Sequence, residues 1–158
     1  MSTLSDVVLR EVKEMMAKYD TDKNNELSRE EVLDRFRKTG VKNPEQAVDS
    51  MFNALDTNKD GKITLAEVEE HKLKVYTKKR DDSIRKDVAA ILKQYDANGD
   101  KQVTYEEVVE HFRKANSPYP ELNAKFLFEE IDTNNDKKIT VSEIKEYSKR
   151  VYNLMLDQ

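Results

Sequence analysis

The chain has no cysteine, only three glycines and three prolines among 158 residues, and no long apolar run. The missing cysteine removes disulfides, thiolate metal ligands and cysteine nucleophiles together, and it is compatible with a reducing compartment. At the N-terminus, Asp6, Arg10, Glu11 and Lys13 interrupt every apolar stretch, so neither a secretory signal nor a membrane span is expected. Residue 2 is Ser2 rather than glycine, which closes the N-myristoylation route to a membrane anchor. Hydrophobic residues make up 37% and charged residues 38%, the composition of a helix-rich protein with small cores. The formal charge of -4 arises from 28 basic and 32 acidic residues, and nothing in that balance suggests a nucleic-acid partner. A cytoplasmic monomer is expected.

One pattern recurs four times and accounts for nearly the whole chain. The copies are DTDKNNELSREE from Asp20, DTNKDGKITLAE from Asp56, DANGDKQVTYEE from Asp96 and DTNNDKKITVSE from Asp132. Their starts are 36, 40 and 36 residues apart, so they group as two pairs. Two lobes follow, residues 1–78 and 79–158.

Helical periodicity flanks every copy. Upstream, Val12, Met15, Met16 and Tyr19 fall on one face, as do Val48, Met51, Phe52 and Leu55. The third and fourth copies repeat this with Val88, Ile91, Leu92 and Tyr95, then Ala124, Leu127, Phe128 and Ile131. Downstream, Val32 and Phe36, Val68 and Val75, Val108 and Phe112, and Ile144 and Val151 begin the exiting stripes. Asn43-Pro44-Glu45-Gln46 predicts an N-cap, a first-turn proline and a capping-box glutamine, and Pro118 and Pro120 break the chain at the equivalent place. Residues 68–95 contain neither glycine nor proline, so this segment is either one continuous helix or one that frays around residues 77–83.

A hard divalent cation takes six to eight oxygen ligands and needs a loop that delivers them from alternate positions. Positions 1, 3 and 5 of the four copies do so with Asp20, Asp22 and Asn24; Asp56, Asn58 and Asp60; Asp96, Asn98 and Asp100; and Asp132, Asn134 and Asp136. Position 7 ligates through its backbone carbonyl, which leaves Glu26, Lys62, Gln102 and Lys138 free to vary in side chain. Position 9, occupied by Ser28, Thr64, Thr104 and Thr140, suits ligation through water. Glu31, Glu67, Glu107 and Glu143 stand at position 12, where a long carboxylate can reach back with both oxygens and so couple the metal to the exiting helix. Leu27, Ile63, Val103 and Ile139 at position 8 suit a short two-stranded bridge between paired loops.

With these motifs, over roughly residues 5–155, the chain resembles the EF-hand family, with a spacing similar to that of calmodulin and troponin C. The resemblance implies an all-α protein of four helix-loop-helix units holding up to four Ca²⁺ ions, with Mg²⁺ as a competitor. The family's usual glycine at position 6 is present only as Gly61, with Asn25, Lys101 and Lys137 elsewhere. Since lysine tolerates a left-handed conformation poorly, the site at Asp56 is expected to be the strongest and the second lobe weaker.

The role expected is that of a calcium sensor, with a cytosolic calcium buffer as the alternative. A sensor would open an apolar groove to an amphipathic helix of a target, while a buffer would open little. Five methionines, and groove-rim residues such as His71 and Lys72, give less apolar surface than a promiscuous binder needs. An enzyme is not expected, since His71 and His111 lack any partner placed by motif. The basic run at residues 72–80 reads as a solvated helix face, with an acidic partner or an anionic membrane surface as the alternative. Four divalent ions would take the formal charge from -4 to +4, making partner choice calcium-dependent.

Overall fold

The computed structural model describes residues 2–157. Helix α1 (Leu4–Tyr19), strand β1 (Glu26–Ser28) and helix α2 (Arg29–Lys38) form a first helix-loop-helix. A second follows as α3 (Pro44–Leu55), β2 (Lys62–Thr64) and the start of α4 (Leu65–Tyr95). The end of α4 enters the third unit, completed by β3 (Gln102–Thr104) and α5 (Tyr105–Lys114), and α6 (Pro120–Ile131), β4 (Lys138–Thr140) and α7 (Val141–Met155) make the fourth. Residues 77–83 are helical, so of the two alternatives for this segment the unbroken helix is adopted. The chain divides into two compact units, Met1–Thr77 and Lys78–Gln158.

In the first unit the expected stripes become the core. Val12, Leu27, Val32, Ile63 and Val68 are fully buried, with Met16, Val48, Phe52 and Leu55 beside them and Met15, Tyr19, Phe36 and Met51 packed at the margin. Strands β1 and β2 pair antiparallel with Leu27 opposite Ile63, both facing inward. Val75 departs from expectation at 39% exposed. The inward face of α4 advances in steps of four through Val68, Lys72 and Tyr76, and Tyr76 rather than Val75 meets the core.

The second unit repeats the plan. Val103, Val108, Ile131, Ile139 and Ile144 are buried, with Ala124 and Phe128, and Val88, Ile91, Leu92, Tyr95, Phe112 and Leu127 pack against them. Val103 lies opposite Ile139 across the β3–β4 pair.

The connections show how each pair is joined. Gly40 at φ +74 follows α2, and the Val41 N–H donates back to the Phe36 carbonyl at 3.0 Å. Asn116 at φ +55 takes the same role after α5, with the Ser117 N–H donating to the Phe112 carbonyl at 2.9 Å. Pro44 and Pro120 both open their helices, as the sequence predicts. The capping box at Asn43 does not form: Asn43 is left-handed at φ +53 and makes no side-chain cap, because its conformation aims the side chain away from the helix N–H groups.

Candidate metal centres

The four loops share one hydrogen-bond scheme. One oxygen of the position-1 aspartate accepts the N–H of position 6, from Asn25 at 2.9 Å and from Gly61, Lys101 and Lys137 at 3.0 Å. The position-3 side chain accepts the N–H of position 5, at 3.1 Å for Asp22, Asn58 and Asn134 and 2.9 Å for Asn98. At position 5, Asn24, Asp60, Asp100 and Asp136 accept the N–H of position 7 within 2.8–2.9 Å. These bonds wrap the backbone around the side-chain oxygens that the sequence assigns as ligands. Residues Glu26, Lys62, Gln102 and Lys138 at position 7 begin the four strands.

The position-12 glutamates join the two ends of each loop. One oxygen accepts the N–H of position 2, from Thr21 at 2.9 Å and from Thr57, Ala97 and Thr133 at 3.1 Å. The other accepts the position-9 N–H at 2.9 Å in all four loops. The position-9 hydroxyls of Ser28, Thr64, Thr104 and Thr140 also donate to these carboxylates at 2.9 Å, and each accepts the glutamate's own N–H at 3.3 Å. Position 9 is thus the N-cap of a capping box, a role that the Ser/Thr-x-x-Glu spacing signals and that a water-ligand reading overlooks. Thr21, Thr57 and Thr133 at position 2 add a hydroxyl donor to the glutamate, at 3.0, 3.2 and 3.3 Å. Ala97 cannot, so Glu107 has one donor fewer.

Burial pushes the Glu31 carboxyl up, but the N–H and hydroxyl of Ser28 and of Thr21 outweigh it and bring the pKa to about 2. Glu67 and Glu143 are lowered in the same way, against burial, by Thr64 with Asn58 and Thr57 and by Thr140 with Thr133 and Asn134. These groups are held as anions with both oxygens turned toward the loop. Asp20, Asp22 and Glu31 each place a carboxylate oxygen within 4.8 Å of the others. In the other loops Asn58, Asn98 and Asn134 put an amide oxygen where Asp22 puts a carboxylate.

A divalent cation fits this donor set, and the fourth loop supplies the clearest sign. Asp132 is 7% exposed, and its Oδ1 is buried with no hydrogen-bond partner among the described residues. In the other loops the corresponding oxygen accepts an N–H, from Asn24, Asp60 or Gly99. An unpaired buried carboxylate oxygen is costly unless a cation or an ordered water completes it, and the oxygen-rich loop around Asp132 suits a cation.

The backbone bears on the torsional argument for the expected ranking of sites. Position 6 is left-handed in every loop, at φ +63 for Asn25, +83 for Gly61 and +64 for Lys101 and Lys137. Position 4 is left-handed too, at φ +59 for Lys23, +58 for Lys59 and Asn135, and +76 for Gly99. Every loop therefore carries one lysine in the disfavoured region beside one glycine or asparagine. Lys59 and Gly61 in the second loop mirror Gly99 and Lys101 in the third, and torsional strain alone does not rank Asp56 first.

His71 lines an apolar groove of about 270 Å³ in the first unit, with Met15, Met51, Ala54, Leu55, Val68 and Lys72. His111 stacks edge-on against Tyr95 at 4.8 Å. In the basic run, Lys72 pairs with Glu11 at 2.9 Å, Lys74 with Glu70 at 2.9 Å and Arg80 with Asp81 at 3.1 Å. Among the described residues no helix is long and apolar enough to cross a membrane.

Comparison with known proteins places these loops among relatives. Residues 9–71 match the family described as an EF-hand domain pair, and residues 124–146 match the EF hand. The chain is 34% identical over 133 residues to calcium-binding protein H of Dictyostelium discoideum, covering 81% of each chain. It is 34% identical over 88 residues to calcium-binding protein A of the same organism, covering 56% of each. Calcium-binding protein 2, also from Dictyostelium discoideum, matches at 35% over 77 residues, 49% of this chain and 43% of that protein.

Proposed function

This chain belongs to the EF-hand family, and from that premise we propose that its four loops bind calcium and that it acts as a calcium sensor, the first unit presenting an apolar groove to an amphipathic helix of a target. The observation that carries the calcium reading is the buried, partnerless Oδ1 of Asp132, at the position where Asp20, Asp56 and Asp96 begin the other loops. The donors that would hold each ion are the side chains at positions 1, 3 and 5, the carbonyl at position 7 and the glutamate at position 12. Bound calcium supplies positive charge that neutralises these carboxylates, with Mg²⁺ as the competing ion. The names of the Dictyostelium relatives support the same cation.

Sensing is supported by the way Glu31, Glu67, Glu107 and Glu143 are wired. Each bridges the loop's second residue and the N-cap of the exiting helix, so re-seating the carboxylate turns that helix. Met15 and Met51 line the first-unit groove, the adaptable surface a target helix needs. A buffering role is favoured by one observation: Lys72 at the rim of that groove is tied to Glu11, which fastens α4 to α1. Cytoplasmic location and a monomeric state belong to the same proposal.

Fluorescence of a hydrophobic-surface dye during a free-calcium titration, at constant magnesium, separates the two roles. The sensor reading expects a calcium-specific rise that disappears when Glu31 and Glu67 are changed to Gln. Calcium binding without any dye response would establish the buffer instead.

A further inference from the structure

Helix α6 has an apolar outer face that its fold does not require. Tyr119, Leu122 and Phe126 are 65%, 46% and 56% exposed, while Ala124, Phe128 and Ile131 on the opposite face are buried in the second-unit core. Leu122 and Phe126 are four residues apart and share one face, and the exposed Tyr119 is the N-cap just before the helix. The chain contains its own control in α3, which precedes the second loop as α6 precedes the fourth. Counting back from Asp56 and Asp132, the inner positions correspond and are apolar in both helices: Val48 with Ala124, Met51 with Leu127, Phe52 with Phe128 and Leu55 with Ile131. The outer positions differ, since Gln46 and Ser50 stand in α3 where Leu122 and Phe126 stand in α6, and the N-cap before each helix is Asn43 in one and Tyr119 in the other. An equivalent helix thus forms and packs with a polar outer face.

The charges beside the stripe are acidic at one end. Glu129 and Glu130 follow Phe126 on the same side of the helix. Glu129 meets Lys125 at 3.7 Å, and the Glu130 carboxylate has no ion pair among the described residues, although Arg150 donates to the Glu130 backbone carbonyl at 2.7 Å. Lys125 and Glu129 also border a groove of about 260 Å³ floored by Tyr105 and Phe128, whose rings meet edge-on at 5.4 Å, and reaching Asp132.

We propose that the outer face of α6 is a docking surface for an amphipathic helix of another protein, with aliphatic or aromatic residues laid along Tyr119, Leu122 and Phe126 and Lys or Arg at the end that meets Glu129 and Glu130. Helix against helix lets i and i+4 side chains interdigitate with this stripe. The three side chains expose roughly 300–400 Å², within the range of functional surface patches. In a symmetric pair this face meets itself and offers no cluster of basic residues to Glu129 and Glu130, which disfavours a second copy. The acidic end disfavours an anionic bilayer.

This surface differs in its response to calcium from the groove of the first unit. It lies outside the core of its own unit and needs no opening. Positive charge added at Asp132, on the adjoining groove, opposes a basic partner. Binding therefore takes place without calcium and is not strengthened by it.

The test uses the full chain and two labelled synthetic amphipathic helices that share a Leu/Phe stripe, one ending in three Lys and the other in three Glu. Anisotropy titrations are run at low and at raised salt, first with chelator and then with calcium. Two double variants accompany the wild type: L122Q/F126S, which installs the residues that α3 carries, and E129Q/E130Q. Expected results are that the Lys helix binds at least about tenfold more tightly than the Glu helix, and that L122Q/F126S loses about tenfold with helical circular dichroism unchanged. E129Q/E130Q should lose several-fold together with most of the salt dependence. Equal affinity for the two helices, indifference to L122Q/F126S, or tightening by calcium would overturn the proposal. Sedimentation showing a dimer lost in L122Q/F126S would assign the face to a second copy, and binding to phosphatidylserine vesicles lost in that variant would assign it to lipid; either result also overturns it.

Discussion

Replacing Lys59 with glycine should stabilise the first unit as much as replacing Lys101 stabilises the second, although only Lys101 sits where an EF-hand loop usually has glycine. Both lysines are left-handed, at φ +58 and +64. A non-glycine residue there costs roughly 1–2 kcal/mol in torsional energy. Glycine returns part of that gain, about 0.4–1 kcal/mol, because the unfolded chain becomes more flexible. The net expectation is about 0.5–1 kcal/mol for either change, or roughly a two- to fivefold shift in a local opening equilibrium. Steric effects do not confuse the reciprocal variants, since a Cβ added at Gly61 or Gly99 meets nothing within 4 Å. Amide hydrogen exchange at Leu27 and Ile63 reports the first unit, and exchange at Val103 and Ile139 reports the second. Calcium-free protein should show slower exchange in the first bridge for K59G and in the second for K101G. G61K and G99K should show the reverse. Protection from K101G with none from K59G would refute the argument that position 4 is as strained as position 6.

Glu11 should matter to the first unit because it accepts from Lys72 at 2.9 Å and from the Tyr76 hydroxyl. E11Q is expected to cost about 1 kcal/mol in thermal denaturation, the pair being partly exposed. The Tyr76 hydroxyl first, and Lys72 second, hold the Glu11 carboxyl below its usual range. Its stabilising contribution is therefore complete above the ordinary carboxyl pKa and fades as pH falls through the lowered one. The difference between wild type and E11Q should shrink there, and a difference that grows in acid would contradict the assignment. Changing Ala97 to Thr should restore the hydroxyl donor that Thr21, Thr57 and Thr133 provide, stabilising the third loop by roughly 0.5–1 kcal/mol. Slower amide exchange at Val103 is the expected readout, and no change would mean that the hydroxyl adds nothing to Glu107.

Much of the architecture is legible in the residues because side-chain chemistry and periodicity carry it. The alternating oxygens from Asp20, Asp56, Asp96 and Asp132, the apolar residue at position 8 and the stripes on the entering helices all reappear as loops, bridges and cores. Features set by the backbone are less visible. Position 4 is held left-handed by the wrapping of the loop, whatever residue stands there, so Lys23 and Lys59 give no warning. Asn43 and Gln46 have capping-box chemistry, but the φ of Asn43 denies it geometry. The threonines at position 2 look interchangeable with Ala97 until Glu31, Glu67 and Glu143 reach back to them. Val75 fits a seven-residue repeat, yet α4 turns Tyr76 inward. The outer face of α6 is readable only against α3, by comparing corresponding positions of the two hands.

The most direct test of the account is calorimetric calcium titration of the wild type beside E31Q, E67Q, E107Q and E143Q. Four sites, with one lost or weakened at least tenfold in each variant, are predicted from the two oxygens each glutamate turns into its loop. Fewer than four sites in the wild type, or a glutamate variant that binds as the parent does, would contradict the claim that all four loops hold the ion.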